Sequence, residues 1–456
     1  TYLSLRETPV MNQSSSHVFP RHCHVDLPQA VGGEGCYLIA ADGKRYFDGS
    51  GGAAVSCLGH SNQRVRDAVK TQMDQLAFAH TSFFTSEPAE QLADLLIANA
   101  PGNLDRVYFV SGGSEAVESA IKLARQYHVE RGEPQRRHLI ARRQSYHGNT
   151  IGALSAGGNA WRRQQFAPLL VEVSHIAPCY EYAERRPDES LAAYGERVAN
   201  ELEAEILRLG EDSVMAFIAE PVVGATLGAV PAVAGYFKRI REICDRYGVL
   251  LILDEVMCGM GRTGHLFACD ADDVAPDILC IAKGLGAGYQ PIGAMLCSEE
   301  VYNTIAEGTG FFQHGHTYIG HPVAAAAGLA VVSELLERDL VAQVQTKGDY
   351  LHEALNARFG DHANIGDIRG RGLFRGLEFV ADRDTKEPLD PGLGLAGRLK
   401  KAAFAEGLIC YPMPGTRDGR KGDHILLAPP FIATEKELDE MVERLSRAVD
   451  TVMAAV

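Results

Sequence analysis

The sequence lacks the cysteine pattern of a disulfide-bonded protein. Its ten cysteines are scattered along the chain without a single Cys-x-x-Cys pair. Several of them, including Cys244, Cys280 and Cys297, lie within apolar stretches. Cysteines in such surroundings behave as small buried hydrophobic residues of a reducing compartment. We therefore expect no disulfide framework.

Long hydrophobic runs and a signal-peptide core are also missing. The longest run of small apolar residues, 323–332, is too short and too rich in alanine to span a bilayer. Residues 1–21 are polar and contain no apolar core of a signal peptide. The formal net charge of −15 argues against nucleic acid and anionic membranes as main partners. We expect a cytoplasmic protein that binds neither.

The 456 residues are long enough for a large domain and a smaller one. Residues 61–335 alternate apolar strand-like runs with helical periods, which predicts an α/β domain with a mostly parallel sheet flanked by helices. The pattern predicts a hairpin in residues 35–48 and a helix over 434–452. We predict a smaller α+β domain built from both termini, residues 1–60 and 336–456.

Two apolar runs each lead into a charged residue. Residues 249–253 precede Asp254, and residues 278–282 precede Lys283. Such runs predict fully buried parallel strands, and open α/β sheets bind ligands at the carboxyl ends of these strands. An acid and an amine brought together there suit pyridoxal phosphate, because the lysine can hold the aldehyde as a Schiff base while the acid pairs with the pyridine nitrogen.

A glycine-rich turn joins a predicted strand, residues 107–110, to a predicted helix. At this turn Gly113 and Ser114 would offer backbone N–H groups and a hydroxyl to an anion at the helix N-terminus. The turn alone fits an ordinary helix cap equally well. It is neither a Walker loop nor a dinucleotide fingerprint. We interpret it as a candidate phosphate site.

Other residues are placed to contact a cofactor ring at the same sheet edge. Tyr146, next to His147, could stack on the ring, and Val256 could pack beneath the opposite face. Glu220 ends another apolar run and would open onto this edge. An ordinary half-buried tyrosine and a structural hydrogen-bond acceptor remain the alternatives for Tyr146 and Glu220.

Three histidines lie close together at positions 314, 316 and 321. Their spacing gives no usual tetrahedral ligand set, and no carboxylate or cysteine is near in the sequence. We predict no metal site, and we interpret Thr317 among them as a hydroxyl donor.

Five motifs in order along the chain carry a family resemblance. They are Asp254-Glu255-Val256, Gly261-Arg262-Thr263-Gly264, Ala282-Lys283-Gly284-Leu285-Gly286, His316-Thr317-Tyr318 and Ala428-Pro429-Pro430. Together they resemble the class III aminotransferases, which are pyridoxal-phosphate enzymes of fold type I. The resemblance extends from about residue 35 to the end of the sequence. It implies a transaminase that works by a ping-pong mechanism.

The resemblance implies a role for each matching residue. Lys283 would form the Schiff base, Asp254 would pair with the pyridine nitrogen, and Val256 would lie beneath the ring. Thr317 matches a hydroxyl that reaches the phosphate of the neighbouring subunit, which implies a homodimer with shared active sites, or a tetramer of such dimers. The remaining matches are cofactor contacts at Gly113, Ser114, Tyr146, His147 and Glu220.

Three departures from the family pattern bear on the substrates. Met257 stands where the family often has glutamine, which removes a contact to the ring hydroxyl. Ornithine- and GABA-type members carry a glutamate and an arginine that serve 2-oxoglutarate, and here Ala225 and Leu426 stand near those places. The sequence therefore resembles more closely the ω-amino acid and amine:pyruvate branch, with pyruvate as the favoured acceptor.

The substrate pocket is predicted from fewer signals. In the amine:pyruvate branch a mobile arginine pairs with the acceptor carboxylate, and Arg417 and Arg420 are the candidates, with a solvated loop charge as the alternative. Phe83, Phe84 and Ala54 could wall the pocket, although core packing explains them equally well. An aminomutase, decarboxylase or racemase of the same fold remains an alternative activity, and a non-catalytic binding protein is the weakest alternative.

Overall fold

The structure is a computed structural model that describes residues 16–456. The predictions for residues 1–15, which concern the polar N-terminus and the start of the smaller domain, lie outside the described residues.

The strands are numbered in chain order. They are β1 (Ala30–Glu34), β2 (Tyr37–Ala40), β3 (Arg45–Asp48), β4 (Leu104–Val110), β5 (His138–Arg142), β6 (Ser174–Ile176), β7 (Val214–Ala219), β8 (Val222–Val223), β9 (Val230–Pro231), β10 (Leu250–Asp254), β11 (Ile278–Ile281), β12 (Gly293–Ser298), β13 (Ile365–Arg371), β14 (Phe374–Phe379), β15 (Leu408–Ile409), β16 (Tyr411–Pro414) and β17 (Asp423–Leu427).

The α-helices are numbered in the same way. They are α1 (Gly51–Ala54), α2 (Gln63–Gln75), α3 (Glu87–Ala98), α4 (Gly113–Glu130), α5 (Ile151–Ala156), α6 (Ala160–Gln164), α7 (Glu181–Glu184), α8 (Leu191–Leu209), α9 (Tyr236–Tyr247), α10 (Glu299–Glu307), α11 (Pro322–Glu337), α12 (Leu340–Phe359), α13 (Leu395–Ala405) and α14 (Glu435–Met453).

A seven-stranded sheet forms the centre of the larger part of the molecule, in the order β4-β12-β11-β10-β7-β5-β6. Only β12 runs antiparallel to its neighbours, so the mostly parallel sheet predicted from the sequence is confirmed. Every residue of β7, β10 and β11 is buried, because helices cover both faces. Continuous apolar sequence is therefore what these strands require.

Alternate residues of the central strands belong to two different hydrophobic cores. Leu251 and Leu279 pack in the core that also receives α3, α8, α9 and α11. Ile252 and Cys280 point to the opposite face, where α4 and α10 pack. This alternation follows from the two-residue period of a strand. It fixes the register of the sheet and so determines which residues emerge at its carboxyl edge.

The smaller part of the molecule is α+β and draws on both ends of the described chain. β3 pairs in parallel with β15 in the sheet β1-β2-β3-β15. An antiparallel sheet, β13-β14-β17-β16, lies in the C-terminal part with α12, α13 and α14. The predicted β2–β3 hairpin and C-terminal helix are present. The predicted boundaries at residues 60 and 335 stay predictions, and residue 335 falls within α11.

None of the helices found between residues 16 and 456 is both long enough and apolar enough to cross a membrane.

Candidate active site

The parallel pairing of β10 and β11 brings the predicted acid and amine to one edge of the sheet. Asp254 is the last residue of β10 and lies in register with Cys280 of β11. Lys283 follows two residues after β11, in a single 3-10 turn and with a left-handed backbone (φ 47°). Both side chains line one cavity of about 140 Å³. Its lining consists of Gly113, Ser114, Tyr146, His147, Gly148, Glu220, Asp254, Val256, Met257 and Lys283.

Two hydrogen bonds fix the orientation of the Asp254 carboxylate. Oδ2 lies 2.8 Å from His147 Nδ1, and Oδ1 accepts from the Val256 backbone N–H at 3.0 Å. Asp254 and His147 are both buried. The other ring nitrogen of His147, Nε2, is buried and has no hydrogen-bond partner within residues 16–456. The carboxylate is thus held rigidly at the cavity wall, where it can interact with a cationic group.

The Lys283 amine lies in a setting that favours its neutral form. Burial lowers its pKa from 10.5 to about 8, while the charges of Asp254 and Glu220 oppose the shift and that of Arg162 adds to it. Nζ donates a hydrogen bond to the Ala53 carbonyl oxygen at 3.0 Å. A lysine with a lowered pKa supplies a substantial fraction of nucleophilic amine at neutral pH.

Glu220, which follows directly after β7, links the end of this strand to Tyr146 through hydrogen bonds. Its Oε1 accepts from the Tyr146 backbone N–H at 3.0 Å, and its Oε2 accepts from the Gly224 N–H at 3.1 Å. Burial raises the pKa of Glu220, and the negative charge of Asp254 raises it further, although the nearby His147 opposes the shift. Glu220 therefore both positions the Tyr146 backbone and adds a second carboxyl group to the cavity.

The glycine turn brings backbone close to the cavity at the start of α4. A Cβ added at Gly113 would lie 2.6 Å from Val256 Cγ1, so no larger residue fits without displacing that side chain. Ser114 Oγ accepts from the Asn149 N–H at 3.0 Å. Gly148 has φ +130°, and a Cβ there would lie 2.5 Å from Ser114 Oγ. This close packing leaves the N-terminus of an 18-residue helix facing the cavity, where an anion is favoured.

Some predicted residues lie away from this cavity in the described chain. Thr317 is exposed, as are Phe83 and Phe84, with 80% and 67% of their surfaces accessible. Ala54 is buried in an apolar cluster that also contains Met257. Their predicted roles stay predictions.

The two candidate arginines occupy different positions in the 415–422 loop. Arg417 Nη2 lies 3.3 Å from Oε1 of the buried Glu378, and its guanidinium lies over the Tyr180 ring at 5.5 Å. Arg420 is exposed and donates to Gln164 Oε1 at 3.1 Å. Neither belongs to the lining of the cavity, so their predicted contact with a substrate carboxylate stays untested.

Sequence reasoning missed two contributors to the site. The Ala53 carbonyl that binds Lys283 comes from a segment far away along the chain. Arg162, on the short helix α6, lies over the Tyr146 ring at 4.8 Å. No spacing in the sequence links either residue to Lys283, although the pair Arg162-Arg163 stands out as a local basic cluster.

Comparison with known proteins agrees with this geometry. A family model described as aminotransferase class-III matches residues 21–449. An uncharacterised aminotransferase of Schizosaccharomyces pombe is 46% identical over 430 residues, which cover 94% of each chain. The diaminobutyrate–2-oxoglutarate transaminase of Halomonas elongata is 34% identical and covers 99% of this chain and 96% of its own.

Solved structures give the same result. An (S)-enantioselective ω-transaminase from Thermomicrobium roseum superposes with a TM-score of 0.91 at 36% identity, covering 97% of this chain and 98% of its own. The chain belongs to the class III aminotransferase family and has its fold type I architecture. It is an aminotransferase, and its cofactor is pyridoxal phosphate.

The residues present fit this cofactor. The cavity offers an amine of lowered pKa, a buried carboxylate, a glycine-lined helix N-terminus for a phosphate, and the unpartnered Nε2 of His147. These are the groups that an aldehyde, a pyridine nitrogen and a phosphate require of a protein.

Proposed function

We propose that the enzyme transfers the amino group of an ω-amino acid or another primary amine to a keto acid, with pyruvate as the acceptor. The observation that carries the proposal is the environment of Ala225 and Leu426, which are buried in one apolar cluster with Ala54 and Met257. An acidic and a basic residue near these two places would serve the second carboxylate of 2-oxoglutarate. An apolar wall instead favours a small keto acid and an extended or bulky amine.

Each residue of the cavity has a proposed task. Bound pyridoxal phosphate supplies an aldehyde that condenses with primary amines and a ring that withdraws electrons from the substrate carbon. Lys283 would hold the cofactor through Nζ, and the same nitrogen would take a proton from the substrate carbon and return it. Its lowered pKa suits this exchange near neutral pH.

The neighbouring side chains orient and polarise the cofactor. Asp254, held by His147 and the Val256 N–H, would keep a proton on the pyridine nitrogen because an opposite charge favours the cationic form. Val256 and Tyr146 would contact the ring. The N–H groups at Gly113 and the Ser114 hydroxyl would hold the phosphate.

The proposal is tested with purified enzyme, added cofactor and a matrix of substrates. The donors are β-alanine, 4-aminobutyrate and 1-phenylethylamine, and the acceptors are pyruvate and 2-oxoglutarate. We expect alanine to form from pyruvate at least tenfold faster than glutamate forms from 2-oxoglutarate. Faster glutamate formation would contradict the acceptor assignment and would agree with the 2-oxoglutarate specificity of the Halomonas elongata relative. Loss of donor without any keto acid would instead indicate a lyase, mutase or racemase.

A matched variant ties the reaction to the cavity. Lys283→Ala removes the amine but keeps the fold, so we expect it to abolish turnover and to lose the covalent attachment of the cofactor that borohydride reduction traps. Wild-type activity in this variant would refute the assignment of Lys283.

We further propose that the enzyme is a homodimer whose subunits share their active sites. Phe78 contacts Tyr318 edge to face, with ring centroids 5.7 Å apart. Phe84 and Ile319 line one cavity of about 400 Å³. Phe78 and Phe84 therefore share a surface with the segment that carries Thr317. A second copy of the chain would cover the two phenylalanines and this segment together. Exposed apolar patches of this kind are typical of subunit interfaces.

Light scattering after size exclusion measures the proposed assembly. The wild type should have twice the mass of the chain, or four times this mass if dimers pair. Phe84→Asp should shift it toward the monomer and lower activity in parallel, whereas Phe404→Asp, at a partly exposed aromatic elsewhere, should not. A monomeric and fully active wild type would contradict the shared site.

A further inference from the structure

Arg162 places a positive charge beside the cavity, although it is not one of the residues that line it. It lies on α6, whose start is capped by the Asn159 side chain accepting from the Arg162 backbone N–H at 3.2 Å. Its guanidinium lies over the Tyr146 ring, 4.8 Å from the centroid, and Tyr146 lines the cavity with Lys283. The Tyr146 hydroxyl in turn accepts from Asn149 Nδ2 at 3.1 Å. The arginine thus rests on an aromatic side chain that is itself held in place.

The guanidinium of Arg162 is uncommitted within residues 16–456, since no hydrogen bond or ion pair engages it. Two other arginines of the region, Arg142 and Arg417, are already engaged. Arg142 donates to the Glu220 carbonyl oxygen at 2.5 Å, and Arg417 pairs with Glu378. Five N–H donors of Arg162 are therefore available to a ligand.

The charge of Arg162 acts on the reacting end of the cavity. Burial lowers the pKa of Lys283, and the charge of Arg162 lowers it further. Burial raises the pKa of Tyr146, and the charge of Arg162 opposes this rise. Arg21, from the N-terminal segment, also acts on Tyr146 but is not among the charges that act on Lys283. Arg162 is thus close enough to act electrostatically on both residues.

A substrate carboxylate needs such a charge. Asp254 and Glu220 put two carboxyl groups in the cavity, and they would repel a keto acid or an amino acid. The Lys283 amine cannot serve as the permanent counter-charge, because it reacts with the cofactor. A guanidinium, which stays protonated and binds a carboxylate with two parallel hydrogen bonds, is suited to this role.

We propose that Arg162 binds the carboxylate of the acceptor and of acidic donors and so determines the preference of the cavity for acidic over neutral substrates. The inference rests on the proposed function and adds to it a residue outside the 415–422 loop. Neutral amines and aldehydes would make no use of Arg162, so the same chain can accept them without this contact.

The test compares acidic and neutral acceptors in one protein. With 1-phenylethylamine as donor, KM is measured for pyruvate and for butanal in the wild type, Arg162→Ala and Arg162→Lys. We expect Arg162→Ala to raise KM for pyruvate at least tenfold and to change KM for butanal less than twofold, with partial recovery in Arg162→Lys. Arg163→Ala, which removes the same charge from the next residue of α6, is the matched control and should leave both KM values unchanged.

A binding measurement separates recognition from turnover. Pyruvate is mixed with enzyme carrying the amino form of the cofactor, and the rate of the single half-reaction is followed by cofactor absorbance. The pyruvate concentration that gives half of the maximal rate is the apparent dissociation constant. This constant should rise in Arg162→Ala by the same factor as KM. Circular dichroism checks the fold, and Arg162→Gln replaces the alanine variant if that one does not fold.

The remaining outcomes contradict either the role of Arg162 or the proposed function. An unchanged KM for pyruvate in Arg162→Ala overturns the inference, as does a rise found instead in Arg417→Ala or Arg420→Ala. Equal rises for pyruvate and butanal also overturn it, because they reveal a structural role. A wild type that forms no alanine from pyruvate with any donor refutes the proposed function itself, before any variant is compared.

Discussion

The pKa of Lys283 gives a quantitative prediction for the apoenzyme. Burial lowers this pKa from 10.5 to about 8, and the neutral amine is the form that attacks the cofactor aldehyde. At pH 7 about one amine in ten is neutral with a pKa near 8, against roughly three in ten thousand for an ordinary lysine. This difference of about 300-fold corresponds to about 3.4 kcal/mol.

The rate at which apoenzyme captures pyridoxal phosphate covalently should therefore depend on pH in a defined way. Below pH 8 the rate should rise about tenfold per pH unit, and above pH 8 it should level off, because the amine is then already neutral. Stopping the reaction with borohydride and measuring the protein mass counts the captured cofactor. Lys283→Arg gives the background.

A second variant tests the physical cause of the shift. The charge of Asp254 raises the pKa of Lys283, so Asp254→Asn should move the levelling point to lower pH. A rate that keeps rising tenfold per unit through pH 10 in the wild type would refute the reasoning, since it would show an ordinary lysine. A levelling point that moves upward in Asp254→Asn would show that the carboxylate does not act as stated.

Three further predictions concern single residues. Asp254→Asn should lower kcat more than tenfold, since each ~1.4 kcal/mol of lost transition-state stabilisation is about tenfold in rate; a smaller loss in steady-state assays would contradict its role. Gly113→Ala should weaken cofactor binding measured by equilibrium dialysis, because the added Cβ would lie 2.6 Å from Val256 Cγ1 and overpacking costs about 1–3 kcal/mol. An unchanged affinity for the cofactor would contradict the close packing of Gly113 against Val256. Glu378→Gln should destabilise the apoenzyme by about 1–3 kcal/mol in denaturant unfolding, as it removes the buried carboxylate that pairs with Arg369 and Arg417, while Arg369 keeps its ion pair with Asp367. Glu443→Gln, in an exposed pair, is the control and should have almost no effect.

The features that could be predicted from the sequence are those that depend on the pattern of a few neighbouring residues. The runs before Asp254 and Lys283 indicated buried parallel strands, and the parallel register then places both residues at one sheet edge. The C-terminal helix was equally readable, because Thr434 and Glu437 form a capping box at its start. These signals lie within a few residues of the feature that they predict.

Features set by contacts between distant segments could not be read in this way. Lys283 bonds to the carbonyl of Ala53, and a backbone oxygen leaves no trace in residue type. Arg162 contacts the Tyr146 ring because of the way in which the short helix α6 packs on the rest of the molecule. Arg417 was a reasonable candidate for a substrate contact from its loop, but its pairing with Glu378 depends on where β14 lies. Such positions follow from tertiary packing, which no single spacing encodes.

The pairing of β3 with β15 has a consequence for the order in which the molecule can be completed. The carbonyl that holds Lys283 belongs to Ala53, a few residues after β3. β3 in turn borders Leu408 and Ile409, which are synthesised after every strand of the central sheet. A nascent chain can thus fold its central sheet first and complete the surroundings of Lys283 later, so we expect fragments that stop before residue 408 to contain the sheet yet remain inert.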